Sequence, residues 1–312
     1  MENKNNQQKT KTLNLSTESV VGKTNEQIRK PWFNKYKAFM RFFKKAPTYI
    51  YLGKKYENGS IILCNHVGTN GPLSYELYSK SPLRFWGAHQ MNSGFKKMYK
   101  YQTEEFYHKK RGWNLGLARI YCLLATPLTN IFYKGLQLIS TYQDFRFKDT
   151  LKESIAAINR GENIVIFPED SAKGYLDHLE GFHAGFVSLA EHLYKKGIDA
   201  PIYVSYYKKK DNALIIDAPV MYSELIKDGL SREEVAQKLC DRCNELGEMN
   251  VEELLKNSTT TPLNHEISQN QNCDNSKTET VAQEETLPKE PENANEKTIS
   301  CDSKNTDTEL MC

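Results

Sequence analysis

The chain has little cysteine and no arrangement of it: Cys64, Cys122, Cys240, Cys243, Cys273, Cys301 and Cys312 are odd in number and form no framework. That pattern excludes a disulfide-stapled fold and fits reduced thiols in a cytoplasmic setting. Cys240 and Cys243 make a single C-x-x-C with no second pair and no His nearby. His89, His108, His178 and His183 have no metal-ligand spacing either, so no metal is expected. No charged-then-apolar segment opens the chain, and export is not expected. The G-x-x-x-x-G-K-[ST] phosphate loop and the G-x-S-x-G nucleophile elbow are both missing, which removes the usual support for nucleotide hydrolysis and serine hydrolase chemistry. Long apolar runs are scarce as well. The most apolar stretch, Trp113 to Tyr133, is broken by Asn114, Arg119, Thr126, Pro127 and Asn130. These interruptions favour a helix lying against a membrane or the core over a spanning one.

What is present is uneven. Residues 1 to 28 are almost wholly polar, and residues 257 to 312 hold four Lys against eleven Asp or Glu with no apolar periodicity. Such segments bury too little surface to offset ordering entropy, and both tails are expected to be disordered. Residues 29 to 256 remain, enough for one sizeable core. The net charge of +3 hides an asymmetry, because Pro31 to Asn130 carries sixteen Lys or Arg against four Asp or Glu. A basic half favours an anionic partner. No zinc spacing, recognition-helix pattern or aromatic RNA-binding signature accompanies it, so a membrane surface is preferred over nucleic acid.

Trp32 to Tyr51 reads as a helix with Trp32, Tyr36, Phe39, Phe42 and Phe43 on one face and Lys35, Lys37, Arg41, Lys44 and Lys45 around it, stopped near Pro47. Residues 29 to 57 are accordingly an amphipathic interfacial segment, with rings among acyl chains and cations at headgroups, or else a helix packed on its own domain. Ser60–Asn65 reads as a buried strand, and the turn formers from His66 to Pro72 lead into a helix. Gly135–Thr141, Asn163–Phe167, Pro201–Tyr206 and Ala213–Asp217 read as further strands. Asp149–Asn159, Gly181–Lys195 and Ser231–Glu248 read as helices. Alternation of this kind predicts an α/β domain with a mixed central sheet flanked by helices.

Three ordered segments carry a resemblance. Cys64-Asn65-His66 with its small-residue turn is similar to an N-H-x-x-x-x-D block, and Gly161 through Phe167-Pro168-Glu169 to a G-x-x-x-x-x-F-P-E block. Gly181-Phe182-His183-Ala184-Gly185 through Ala190 looks like the helix start that follows, and Pro201-Ile202-Tyr203-Val204 like a short closing strand. Over about residues 58 to 207 the chain resembles a divergent member of the glycerolphosphate and lysophosphatidic-acid acyltransferase family. The resemblance implies acyl transfer from a thioester, acyl-CoA or acyl carrier protein, to a hydroxyl of a glycerolipid or related acceptor. His66 would be the general base, with no bound cofactor, at the cytoplasmic face of a membrane as a peripheral or monotopic protein. Partners would be membrane lipids and the thioester donor, acyl-CoA or acyl carrier protein.

The chain departs from that pattern where it matters. Gly71 stands where the family has Asp. Glu76, a turn into the next helix, Asn70 and Asp170 are the groups that could orient the imidazole in its place. The strand expected to end in Arg ends in Ser140-Thr141, with Arg146 the nearest cation, and the F-P-E block continues Asp170-Ser171-Ala172-Lys173. Glu169, Asp170, Ser171, Lys173 and Arg146 are the expected acceptor-binding positions. The rival reading is a lipid-binding protein that kept the scaffold and lost catalysis.

Overall fold

Runs of β-branched and aliphatic residues too short for a helix become strands, and amphipathic segments become the helices that cover them. The computed structural model describes residues 19–169 and 176–260. All lie in one of the two units of the chain, residues 1–263; the other, 264–312, lies outside the described residues. In order come α1 Asn25–Ile28, α2 Pro31–Phe43, β1 Thr48–Tyr51, β2 Ile61–Cys64, α3 Asn70–Tyr78 and β3 Leu83–Ala88. An excursion follows of α4 His89–Asn92, α5 Phe95–Lys100, a π-helix Tyr101–Lys110 and α6 Leu115–Leu136. Then come β4 Ile139–Thr141, α7 Phe147–Asn159, β5 Asn163–Ile166, α8 Gly185–Tyr194, β6 Pro201–Lys208, β7 Ala213–Ile216, β8 Val220–Met221, α9 Tyr222–Leu225, α10 Arg232–Glu248 and α11 Val251–Thr260.

The protein is α/β, with an eight-stranded mixed sheet ordered β1-β7-β6-β2-β5-β3-β4 and β8 paired to β6. β6, β2, β5, β3 and β4 run parallel, while β7 and β8 pair antiparallel with β6. Both faces are buried, as the near-continuous apolar strands require. Alternate residues Ile61, Leu63, Ile164, Ile166, Ile202 and Val204 pack under α7, α8 and α10. Ile62, Cys64, Val165 and Tyr203 point the other way, against Phe33 of α2, Tyr75 of α3 and Leu136 of α6.

Among the differences from the sequence reading, three have a clear tertiary reason. Thr48–Tyr51, taken as the end of the first helix, is a strand, because its backbone pairs in parallel with Ala213–Ile216. Tyr49 and Tyr51 stand two apart on one face with Ile50 buried on the other, the alternation of a strand. Gly135 and Leu136, expected in a strand, finish α6 instead. Gly135 fits because a Cβ there would lie 2.0 Å from the Phe33 ring. Finally, residues 19 to 28 belong to the fold, although composition placed them in the polar tail. Thr24 caps α1, Val20 and Asn25 are buried, and the Asn25 side chain bonds the carbonyl of Glu76 and the amide of Leu83. Their own side chains are too polar to announce this; the partners that receive them lie fifty residues downstream. Of the expected tails 1–28 and 257–312, residues 1–18 and 261–312 lie outside the described residues, and 257–260 finish α11.

Candidate active site

The site is set by where the chain leaves two neighbouring strands. From β2 it passes to α3 on one face of the sheet; from β5 it passes to α8 on the other. Diverging connections open a crevice at the carboxyl ends of adjacent parallel strands. His66 sits two residues past the end of β2, and Phe167-Pro168-Glu169 directly follows β5. The Asn65 carboxamide fixes the exit from β2: its Nδ2 donates to the Tyr207 carbonyl at 3.2 Å, and its Oδ1 accepts the Tyr207 amide at 2.7 Å. The turn then runs through the left-handed region at Val67 (φ 44°) and Gly68 (φ 64°). A β-branched residue there is strained, a cost that tends to gather at functional turns.

The next residue of consequence is Gly71, whose amide donates to the His66 carbonyl at 3.3 Å. A Cβ at this position would lie 2.7 Å from the His66 carbonyl oxygen, 3.0 Å from that of Asn65 and 3.2 Å from Cε1 of Phe167. The loop has therefore closed over the space that a carboxylate side chain would need.

His66 and Glu169 meet. The backbone amide of His66 donates to Glu169 Oε1 at 2.7 Å, tying the two motif loops together. The imidazole packs edge-on to the Phe167 ring, with centroids 5.0 Å apart. Glu169 is 9% exposed, and burial raises its carboxyl to about 7 although the His66 amide opposes the shift. An ordinary hydrogen-bonded carboxylate shifts the other way, so here desolvation wins. The Glu169 strand segment is bridged to Phe182, and the His183 amide donates to the Pro168 carbonyl at 2.8 Å, which brings the start of α8 to the same crevice.

The other named residues are distributed differently. Glu76 is fully buried between two cations, with Arg29 at 2.7 Å and Lys37 at 3.0 Å. Burial pushes its carboxyl up, but Arg29 and Lys37 together outweigh it and hold it below its ordinary value. Both oxygens are thus taken up by α2 and the segment before it, away from the orienting role that the sequence offered it. Asn70 is also engaged: its Oδ1 accepts from Lys44 Nζ at 2.9 Å. Lys44 in turn lies over the Tyr207 ring at 5.4 Å, and burial followed by the charge of Lys209 lowers its affinity for a proton. Arg146 reaches back to the carboxyl end of β4, 4.4 Å over the Tyr142 ring, and is paired with Asp144 at 2.6 Å. His89, at the end of β3, stacks on the other neighbour, Tyr142, at 4.9 Å. Asp170, Ser171 and Lys173 lie outside the described residues.

Neither a protein-family model nor a curated protein matches this chain.

His66 and Glu169, both read from the sequence, stand in one place, and Arg146 lies at the same edge of the sheet. Lys44, Lys209 and His89 had no part in the site read from the sequence. Lys44 was visible only as one cation of an amphipathic helix, and the Lys208–Lys210 run only as a hairpin tip. Their proximity to the His66 turn arises because β6 lies beside β2 and parallel to it. Among the described residues no three His, Cys, Asp or Glu side chains converge as a metal would need. Chemically, the crevice offers a half-exposed imidazole, a carboxyl that titrates near neutrality, and cations at its rim.

Proposed function

We propose that this chain is a membrane-associated acyltransferase that moves a fatty acyl group from an acyl-CoA or acyl carrier protein thioester to a lipid hydroxyl. One observation carries the reading: His66 and the Phe167-Pro168-Glu169 turn, about a hundred residues apart in sequence, are joined through the 2.7 Å contact at the carboxyl ends of adjacent strands. A lipid hydroxyl is a weak nucleophile at neutral pH, and a neutral imidazole can take its proton as oxygen attacks the thioester carbon. The carbon–oxygen bond forms, the carbonyl becomes an oxyanion, and its collapse breaks the carbon–sulfur bond. The imidazolium then returns its proton to the departing thiolate. Glu169 holds the His66 backbone and is a positioning residue. Of the three groups offered as orienting partners, Asn70 and Glu76 are engaged elsewhere, which makes Asp170→Asn the variant to compare with His66→Ala.

A second reading is favoured by Gly71, whose position leaves no room for the family's carboxylate: a lipid-binding protein on the same scaffold. Incubating the full chain with labelled acyl-CoA and acyl carrier protein thioesters and a membrane lipid extract, then identifying products by mass spectrometry, separates the two. An acylated lipid made by the wild type supports the enzyme; bound acyl chains with no product support the binder.

A further inference from the structure

Helix α6 places its polar side inward and its apolar side outward. Ala118, Cys122, Thr126 and Asn130, spaced four apart, face the protein and are buried. The Thr126 hydroxyl donates to Gln102 Oε1 of the π-helix at 2.7 Å, and Gln102 Nε2 donates to Thr129 Oγ1 at 3.1 Å. On the opposite side Leu117, Ile120, Leu123, Leu124 and Leu128 are 60% to 74% exposed. A helix on a water-facing surface turns its apolar stripe to the core. In lipid the order reverses, with small and polar side chains at helix contacts and aliphatic ones outward.

We propose that this stripe of α6 docks on an anionic phospholipid bilayer, with the helix lying in the plane of the surface. Residues 95 to 134 hold eight Lys or Arg against two Glu. Lys96, Lys97, Lys100, Arg111, Arg119 and Lys134 are exposed, a cationic complement to anionic headgroups. At the N-terminal end of α6 the rings of Tyr107, Trp113 and Tyr121 cluster with centroids 4.9 to 5.4 Å apart, the residue types that settle at headgroup depth.

The helix is long and apolar enough to cross a membrane. Crossing would take its π-helix partner along, with the Lys100–Glu104 and Lys109–Glu105 pairs entering hydrocarbon, whereas an in-plane seat leaves them in water. At its other end Leu136 is buried in the core and β4 begins at Ile139. A second copy of the chain would bring like charges together around the stripe, which a bilayer does not. The inference deepens the membrane association proposed above and does not depend on the reaction at His66.

The test is co-flotation of the full chain with phosphatidylcholine vesicles, with or without phosphatidylglycerol, at low and high salt, for the wild type, His66→Ala and the triple variant Ile120→Asn/Leu124→Asn/Leu128→Asn. Wild type and His66→Ala are expected to float alike with anionic vesicles, more weakly at high salt, and to be released by alkaline carbonate. The triple variant should bind at least tenfold more weakly with an unchanged circular dichroism spectrum and melting temperature. Equal binding by the triple variant, no wild-type binding, or resistance to carbonate overturns the in-plane seat. So does a solution dimer of the wild type that the triple variant abolishes, since the stripe then belongs to a second copy. Flotation reads the surface alone and the labelled-thioester assay reads the reaction, so a failed surface and a failed reaction give different results.

Discussion

One face of the sheet packs mainly Ile, Leu, Val and Phe side chains under α7, α8 and α10, with one buried cluster of Arg84, Glu162 and Arg160 at its margin. The other is built of Phe33, Tyr75, Tyr203 and Tyr207, a buried Arg29–Glu76–Lys37 cluster, and covering helices whose outer sides carry Phe39, Phe42, Phe43 and the α6 leucines. The first face is held chiefly by apolar burial. The second spends polar groups inside and apolar groups outside, and it is the one that carries α3 and the His66 turn. The same contrast appears in two buried glutamates: Glu76 is held ionised by cations, whereas burial dominates at Glu169, with no cation paired to it among the described residues.

The sharpest way to break this comparison is Glu76→Gln. It leaves Arg29 and Lys37 buried without their counter-charge, and loss of one member of such a cluster costs about 3–5 kcal/mol. Urea unfolding should show that loss at neutral pH. The wild-type contribution is full above the ordinary carboxylate range and fades as pH falls through the lowered value of Glu76, so the gap between variant and wild type should narrow in acid. An unchanged midpoint would mean that the cluster does not hold the face.

Gly71→Asp probes the closed loop. The added Cβ meets two backbone oxygens and the Phe167 ring, and overpacking of this kind costs about 1–3 kcal/mol. The variant should melt lower and transfer no faster than wild type. A gain in transfer rate would show instead that the site can accept a carboxylate at this position.

Glu169→Gln is the smaller and opposite effect. A carboxyl raised from 4.5 to about 7 stabilises the unfolded state as pH climbs between those values. Gln keeps an oxygen for the His66 amide but removes that penalty. Above pH 7 the variant should therefore match or exceed wild-type stability by about 1–3 kcal/mol, with no advantage in acid below about pH 4. A variant less stable at every pH would place the ionised carboxylate in a supporting role.

Much of this was legible in the sequence, and the reasons for the rest are physical. Strand-end His66 and the Phe167-Pro168-Glu169 turn could be read because strand, turn and helix signals are local. The ion pairing of Glu76 could not, since Arg29 lies 47 residues away in what composition marked as a tail boundary. Nor could β1, whose pairing partner Ala213–Ile216 lies far downstream, or the inverted polarity of α6, whose Thr126 and Asn130 read as interruptions until Gln102 and Met98 are placed beside them. Side-chain spacing reports periodicity but not which side of a helix faces the protein.

The central claim, that His66 is the base for acyl transfer, is tested most directly by single-turnover transfer from a labelled acyl thioester to lipid acceptor with wild type and His66→Ala, both checked for equal melting temperature. The account predicts a loss of about 10²–10⁴ in the His66→Ala rate. Full activity in the folded His66→Ala protein would contradict it.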